Sequence, residues 1–182
     1  MPQKIPKVIC VDLDGTLIAE DVGKIAICTW SRMPLKKRMS FIPYLIQGKL
    51  FFKYKLSQVI NINPNNLKYN DKLVNWLAQK KKEGHTVILA SASQKNYVEA
   101  IFNHINIFDD YHASDDKVHL IGVNKGKLLA EKYGAHKFLY CGNSWLDLGV
   151  WHYASHAVIV NLPFIPRKII EKTGKVVDVF NL

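Results

Sequence analysis

The sequence predicts an α/β fold with a central parallel sheet flanked by helices, and three observations support this. Short apolar runs alternate with amphipathic stretches over most of the 182 residues, as expected when helices cover both faces of a sheet. The apolar runs have the short length of buried strands. Glycines follow two of the amphipathic stretches, at places where a helix would end.

Four strands are predicted, each on a run of apolar residues. They cover residues 7–11, 86–90, 138–141 and 157–160. A last apolar run covers residues 176–180 near the end of the chain.

The clearest predicted helix covers residues 70–83, because Asn70 can cap its first turn and Gly84 directly follows its end. Further helices are predicted over residues 95–105, over residues 125–133 before Gly134, and from residue 167 onward.

Residues 18–67 interrupt the alternation of strands and helices. The segment is aromatic and basic, its patterns are helical, and Pro34, Pro43 and Pro64 divide it. We predict a core domain made of residues 1–17 and 68–182, with residues 18–67 inserted as a small helical segment over the carboxyl end of the first strand.

The composition suits a chain that buries one sizeable core, with 48% hydrophobic residues. Cys10, Cys28 and Cys141 form no CxxC pair, and two of them lie in predicted strands, which favours a reducing compartment. No stretch reaches the roughly 18 apolar residues of a membrane span. We therefore expect a cytoplasmic protein that is peripheral to a membrane at most.

The net charge of +10 favours anionic partners, namely phosphorylated substrates, acidic lipid surfaces or nucleic acid. Nucleic acid is the weakest of these, because the basic residues are dispersed and no nucleic-acid-binding module is recognisable. Two interpretations of the basic insertion are open. Either its apolar residues pack on the core, or they form a surface for anionic membrane or a groove for a lipid tail. The apolar residues concerned are Ile42, Leu45, Leu50, Phe51 and Tyr54.

Acidic residues directly follow the first predicted strand. Asp12 and Asp14 would project from the carboxyl edge of the sheet, where parallel folds bind ligands. With Gly15 and Thr16 beside them, they make a place for a hard cation and for a phosphate on backbone amides. An isolated segment of this kind is equally compatible with a plain acidic turn, so the rest of the chain has to decide.

Three further groups of polar residues belong to the same predicted edge. Ser91 follows the strand over residues 86–90, and Asn143 and Asp147 follow the strand over residues 138–141. Lys125, at the start of a helix, can bring a positive charge to a phosphoryl group. Each is weak alone, because a serine there usually caps a helix and most lysines are solvated.

In this order, Asp12-Leu-Asp-Gly-Thr-Leu17, the strand ending in Ser91, Lys125, and Gly142-Asn143-Ser-x-x-Asp147 resemble the four motifs of the haloacid dehalogenase (HAD) superfamily. The resemblance is closer to the HAD phosphatase domains that are fused to UbiA-like prenyltransferases, through phrases at residues 69–77, 89–93 and 147–151. It extends from about residue 7 to residue 161.

The resemblance implies a Rossmann-like HAD core, with residues 18–67 as a cap. It also implies a phosphatase that hydrolyses a phosphorylated small molecule or lipid phosphate through an aspartyl-phosphate. Asp12 would be the nucleophile and Asp14 the general acid and base. Ser91 and Lys125 would bind the phosphoryl oxygens, and Gly15, Thr16 and Ala92 would complete the phosphate site.

The same resemblance implies Mg²⁺, held by the Asp12 carboxylate, the Asp14 main-chain carbonyl and Asn143, with help from Asp147. The family usually has aspartate at the position of Asn143, so we expect weaker metal affinity here. Two alternatives stay open. One is a regulatory protein that binds phosphate or anionic lipid without turnover, and the other is a phosphotransferase that uses the same residues.

Overall fold

The computed structural model describes residues 5–181, which form a six-stranded sheet with helices on both faces. The strands are β1 (Val8–Val11), β2 (Thr86–Gln94), β3 (Asp110–Ser114), β4 (Phe138–Gly142), β5 (His156–Val160) and β6 (Val176–Phe180). Their order in the sheet is β3-β2-β1-β4-β5-β6, and each neighbouring pair is parallel. The predicted α/β class with a parallel sheet is confirmed.

The helices between these strands are α1 (Val22–Ser31), α2 (Leu35–Met39), α3 (Ile42–Ile46), α4 (Lys49–Ser57), α5 (Asp71–Lys82), α6 (Lys95–Ile105), α7 (Val123–Tyr133), α8 (Leu148–Trp151) and α9 (Phe164–Glu171). Helix α5 begins as predicted, because the Asn70 side chain accepts the N–H of Leu73 at 3.2 Å. Gly84 then turns the chain with a φ of 89°.

Alternate residues of the strands pack on opposite faces of the sheet. In β1, Ile9 and Val11 join the apolar cluster that includes residues of α5 and α6. Cys10, between them, joins the cluster that includes residues of α7 and α8. Because both faces are covered, the strands read as continuous apolar runs, and each fully buried aliphatic side chain contributes about 1.5–3 kcal/mol.

Several predicted boundaries are wrong. Strand β2 continues to Gln94, so Ser91 lies inside the strand and does not cap a helix. Strand β3 was not predicted, because it is a polar edge strand without an apolar run. Helix α7 begins two residues before Lys125, and α9 begins three residues before Arg167.

Helices α1 to α4 lie within residues 18–67, which we call the cap segment. Phe41, Phe52 and Leu56 are buried there and belong to the same apolar cluster as the sheet. Ile42 and Leu45 are exposed, so the interpretation that they pack on the core is wrong. The helices point a different set of apolar residues inward, because α3 ends at Ile46 and α4 starts a new helical register after Gly48.

The neighbouring strands β1 and β4 mark the point where the strand order reverses, since the chain leaves them toward opposite ends of the sheet. In open parallel sheets a crevice forms at the carboxyl ends of two such strands, and ligands bind there. Among residues 5–181, no helix is both long enough and apolar enough to span a membrane.

Candidate active site

Asp12 and Lys125 form a buried ion pair at the carboxyl end of β1. The Asp12 main chain donates to the carbonyl oxygen of Cys141 in β4 at 3.0 Å, so Asp12 lies at the strand-order reversal. Lys125 Nζ donates to Asp12 Oδ1 at 2.6 Å and to the Tyr140 hydroxyl at 2.9 Å. The predicted meeting of Asp12 with Lys125 therefore occurs, although Lys125 is only 3% exposed.

Close approach of two helices positions Lys125. Gly126 follows it in α7, and a Cβ at Gly126 would lie 2.8 Å from the carbonyl oxygen of Gly149 in α8. A side chain at Gly126 would therefore push α7, and Lys125 with it, away from the sheet edge.

Asp147 shapes the loop after β4. Its Oδ1 accepts the Tyr140 hydroxyl at 2.8 Å, and its Oδ2 accepts the main-chain N–H of Asn143 at 3.0 Å and that of Ser144 at 2.9 Å. The Ser144 hydroxyl also donates to Oδ2, at 2.8 Å. Both oxygens of this buried carboxylate thus have protein donors, which favours a role in holding the loop. Its predicted help in binding a metal stays a prediction.

Tyr140 was missed by sequence reasoning, yet it links Lys125 to Asp147. A hydroxyl in an otherwise apolar strand, two residues before Gly142, was the signal available. Gly142 is required beside it, because a Cβ there would lie 2.8 Å from both the Asp147 carboxyl carbon and the Tyr140 ring.

Asp14 joins β2 to the cap segment. Its Oδ1 accepts the N–H of Val22, the first residue of α1, at 2.8 Å. Its Oδ2 accepts the Ser93 hydroxyl at 2.6 Å and the Ser91 hydroxyl at 3.4 Å. Ser91 and Ser93 point to the same side because they are two residues apart in a strand. Ser93, which was not predicted, makes the shorter contact.

Gly15 and Thr16 depart from their predicted role as donors to phosphate. The N–H of Gly15 already donates to the carbonyl oxygen of Glu20 at 3.3 Å, and that of Thr16 to Leu13 at 3.2 Å. The Thr16 side chain is fully buried. Gly15 has a φ of 73°, and a Cβ there would collide with the Asn143 amide. These two residues therefore shape the turn, and Gly15 lets Asn143 approach it.

Burial dominates the protonation of the site. It raises the pKa of Asp12 to about 7, with the nearby Asp147 adding to the rise and Lys125 opposing it. Burial also raises the pKa of Asp14, against the hydrogen bonds from Ser93 and Val22. For Lys125, burial disfavours the ammonium, but the carboxylates of Asp12 and Asp147 outweigh it and raise the pKa. Lys125 is therefore cationic.

The site contains oxygen ligands of the kind that Mg²⁺ accepts, and no group of three His, Cys, Asp or Glu side chains among residues 5–181 could hold a metal ion by itself. The carboxyl groups of Asp12, Asp14 and Asp147 stand against the single charge of Lys125, so the site has an excess of negative charge when they are ionised. Asn143 adds an amide beside Gly15, and it lines the same cleft as Asp12. Carboxylate and amide oxygens are ligands that Mg²⁺ accepts, and it commonly needs only one or two carboxylates.

The site opens into a cleft of about 390 Å³. Asp12, Asp14, Lys125 and Asn143 line it, together with Ala92 and Ser93. Of the predicted residues, Gly15, Thr16 and Ser91 do not line the cleft, and Thr16 and Ser91 are fully buried.

The cap side of the cleft is basic. Lys49 and Lys53 of α4 line it together with His119. Partial burial lowers the pKa of His119, and the neighbouring charges of Lys53 and Lys49 lower it further. Sequence reasoning missed all three residues, because only the fold brings α4 to the loop after β3.

No protein-family model matches the chain. Among curated proteins, an uncharacterized protein of Sinorhizobium fredii, y4nM, is 29% identical over 159 residues, which cover 87% of this chain and 30% of that protein. The chain thus spans less than a third of the length of the curated relative that it matches.

Several solved structures have a similar fold. A HAD family hydrolase from Salmonella enterica serovar Typhi has a TM-score of 0.67 at 13% identity, covering 96% of this chain and 68% of that one. A predicted phosphatase from Clostridium acetobutylicum has a TM-score of 0.66 at 15% identity, covering 98% and 95%. A phospho-aspartyl intermediate analogue of phosphoserine phosphatase has a TM-score of 0.62 at 14% identity, covering 97% and 94%. The chain therefore has the Rossmann-like fold of the HAD hydrolases, as the motif resemblance predicted.

Proposed function

We propose that this protein is a magnesium-dependent phosphatase that hydrolyses a phosphomonoester through an aspartyl-phosphate on Asp12. The observation that carries the proposal is the buried pair of Asp12 and Lys125, 2.6 Å apart, which lines a cleft at the carboxyl ends of β1 and β4. A carboxylate held beside a fixed cation at this edge suits attack on an anionic phosphoryl group. The similar solved structures include a phospho-aspartyl intermediate analogue, which supports the same chemistry.

In the first step, an Asp12 oxygen bonds to phosphorus and the ester oxygen leaves as an alcohol, taking a proton from Asp14. Burial raises the pKa of Asp14, which favours the protonated carboxyl needed here. In the second step, Asp14 takes a proton from water, whose oxygen attacks phosphorus and releases inorganic phosphate from Asp12. Both aspartates then return to their starting states.

Lys125 and Ser93 serve this reaction from fixed positions. Lys125 offsets charge on the phosphoryl oxygens and on Asp12, while Tyr140 and Asp147 hold it in place. Ser93, supported by Ser91, orients the Asp14 carboxyl by its 2.6 Å hydrogen bond. We assign Ser91 this supporting role, because it does not reach the cleft.

A magnesium ion would be held by the Asp12 carboxylate, the Asp14 main-chain carbonyl and Asn143. When bound, it would offset the negative charge shared by the phosphoryl group and the carboxylates. Asp147 would contribute indirectly, by orienting the loop that carries Asn143.

We further propose that the cap segment selects the substrate. Lys49, Lys53 and His119 line the same cleft as Asp12, so they would meet the alcohol part of a bound ester. A small phosphorylated molecule with a second anionic group would suit them best. A lipid phosphate with an anionic headgroup meets the same requirement. The kinship with phosphatase domains fused to UbiA-like prenyltransferases also stays a prediction.

Hydrolysis of p-nitrophenyl phosphate with Mg²⁺, by wild type and by Asp12→Asn, tests the proposal. We expect the variant to be at least about a thousandfold slower, because it lacks the nucleophile. Equal rates, or no Mg²⁺-dependent rate in either, would favour the non-catalytic phosphate binder. A phosphotransferase would instead pass the phosphoryl group to an added alcohol, and the phosphorylated alcohol would be detected as a product.

A further inference from the structure

The positive charge of the protein is concentrated in the cap segment and the residues next to it. Residues 22–70 contain seven lysines and two arginines but no aspartate or glutamate. Since the whole chain has a net charge of +10, the remaining residues together carry only +1. Residues 22–70 therefore form a strongly cationic segment, whereas the rest of the chain is nearly neutral.

Helices α2 and α3, within this cationic segment, expose large apolar side chains. Leu35 at the start of α2 is 67% exposed, and Ile46 at the end of α3 is 83% exposed. We call this surface the α2–α3 face, and its apolar members are Leu35, Met39, Ile42, Leu45 and Ile46. Lys36 and Lys37 are exposed within the same short helix, and no ion pair within residues 5–181 engages either of them.

A second exposed apolar surface, on α9, differs in charge. Phe164 and Ile165 are 72% and 60% exposed there. Glu171 pairs with Arg167 at 2.8 Å and with Lys168 at 3.6 Å, so α9 keeps a net charge of +1, whereas α2 contains three cations and no acidic residue. Exposed aliphatic side chains beside unpaired lysines thus distinguish the α2–α3 face from α9, and α9 offers an internal control.

We propose that the α2–α3 face docks on the surface of an anionic lipid bilayer. Aliphatic side chains insert among the headgroups and acyl chains, while lysines at the same level meet the lipid phosphates. The absence of acidic residues from residues 22–70 removes the repulsion that such a surface would otherwise exert.

Other occupants fit this face less well. A nucleic acid backbone would satisfy the lysines but leaves no place for five aliphatic side chains. A second copy of the chain would bring like charges together, which opposes self-association.

The face adjoins the helix that lines the cleft. Helix α3 packs on α4, and Lys49, Leu50 and Lys53 of α4 line the cleft. A protein docked in this way would hold its cleft close to the bilayer surface. The docking itself does not depend on the proposed activity, so Asp12→Asn should bind vesicles as wild type does.

Co-sedimentation with vesicles tests the proposal, using phosphatidylcholine alone and phosphatidylcholine mixed with phosphatidylglycerol, at low salt. We expect wild type to bind the anionic vesicles at least about tenfold more strongly than the neutral ones. Leu35→Ser combined with Ile46→Ser should reduce this binding about tenfold or more, and so should Lys36→Gln combined with Lys37→Gln. All four positions are exposed, and circular dichroism would verify that each variant is folded.

Phe164→Ser combined with Ile165→Ser is the matched control, and its binding should equal that of wild type. Absence of wild-type binding to anionic vesicles, or an equal loss in the α9 control, would overturn the proposal. Binding of a DNA duplex without vesicle binding would overturn it in favour of nucleic acid. A dimer that Leu35→Ser with Ile46→Ser disrupts, again without vesicle binding, would overturn it in favour of a second copy.

Discussion

Lys125 at the sheet edge and Lys36 in the cap segment carry the same charge in opposite settings. Lys125 is buried, and it is fixed by Asp12 and by Tyr140. Lys36 is exposed, and no acidic residue lies between residues 22 and 70. A buried charge acts at one place on one group, whereas exposed charges act together as a field that salt screens.

This difference predicts how the two regions respond to substitution. In the site, the substitution of one side chain should reduce activity greatly, because the neighbouring groups are arranged around that side chain and water cannot replace it. In the cap segment, effects should be small for each residue, roughly additive and dependent on salt.

The largest effect within this comparison is expected for Lys125→Met, measured as kcat for p-nitrophenyl phosphate with Mg²⁺. We expect a loss of about a hundred- to a thousandfold, because a fixed cation beside the phosphoryl group is removed. Without the lysine, the Asp12 carboxyl would become protonated and could stay buried as a neutral group, since burial already raises its pKa to about 7. Lys127→Met, at an exposed position of the same helix, is the control and should keep its activity.

Retention of more than about a tenth of the wild-type rate by Lys125→Met would contradict the catalytic importance of the buried pair. Thermal unfolding of both variants would separate a lost reaction from a lost fold.

The sheet and the order of the motifs were predictable from sequence because they depend on local patterns. Buried parallel strands have apolar runs, and Asn70 and Gly84 mark the ends of α5 by hydrogen bonding and backbone conformation. The approach of Asp12 to the loop after β4 followed from topology, since residues at the carboxyl ends of neighbouring strands share one edge. Lys125 lies in α7, and its place beside Asp12 was indicated by the motif resemblance.

The missed features depend on contacts between distant segments. Tyr140 is recognisable as part of the site only when Lys125 and Asp147 are seen on either side of its hydroxyl. Ser93 was overlooked because β2 continues beyond its apolar run, so the strand places a second serine on Asp14. Helical periodicity could not show that Ile42 and Leu45 are exposed, because it identifies an apolar stripe but not what covers it.

Asn143→Asp tests a smaller effect, at the position where the HAD motifs that the sequence resembles usually have aspartate. The change adds one negative charge where a magnesium ion would bind, and the amide and carboxylate have nearly the same shape. We expect the Mg²⁺ concentration for half-maximal activity to fall about tenfold.

A readout that does not require turnover is the rise in unfolding temperature on adding Mg²⁺, which should occur at lower concentration in Asn143→Asp. Asp116→Asn is the control, because it removes one negative charge at an exposed position instead of adding one. It should leave the response to Mg²⁺ unchanged. An unchanged Mg²⁺ response in Asn143→Asp would remove residue 143 from the proposed metal site.

The smallest effect is expected for Lys53→Gln, which tests whether this partly buried cation of the cap segment acts on the substrate. Lys53 lines the cleft, whereas Lys55, two residues further along α4, lies over the rings of Tyr44, Phe51 and Tyr54. For a phosphomonoester with a second anionic group, we expect Lys53→Gln to raise KM about three- to tenfold with little change in kcat. For p-nitrophenyl phosphate, which lacks that group, KM should change less. Lys55→Gln should behave as wild type with both substrates.

Added salt should weaken the preference of wild type for the doubly anionic substrate while leaving kcat of the buried site nearly constant, because salt screens exposed charges far more than buried ones. An equal rise in KM for both substrates would mean that Lys53 acts on the phosphoryl group itself, and the distinction between the two kinds of lysine would fail at this residue.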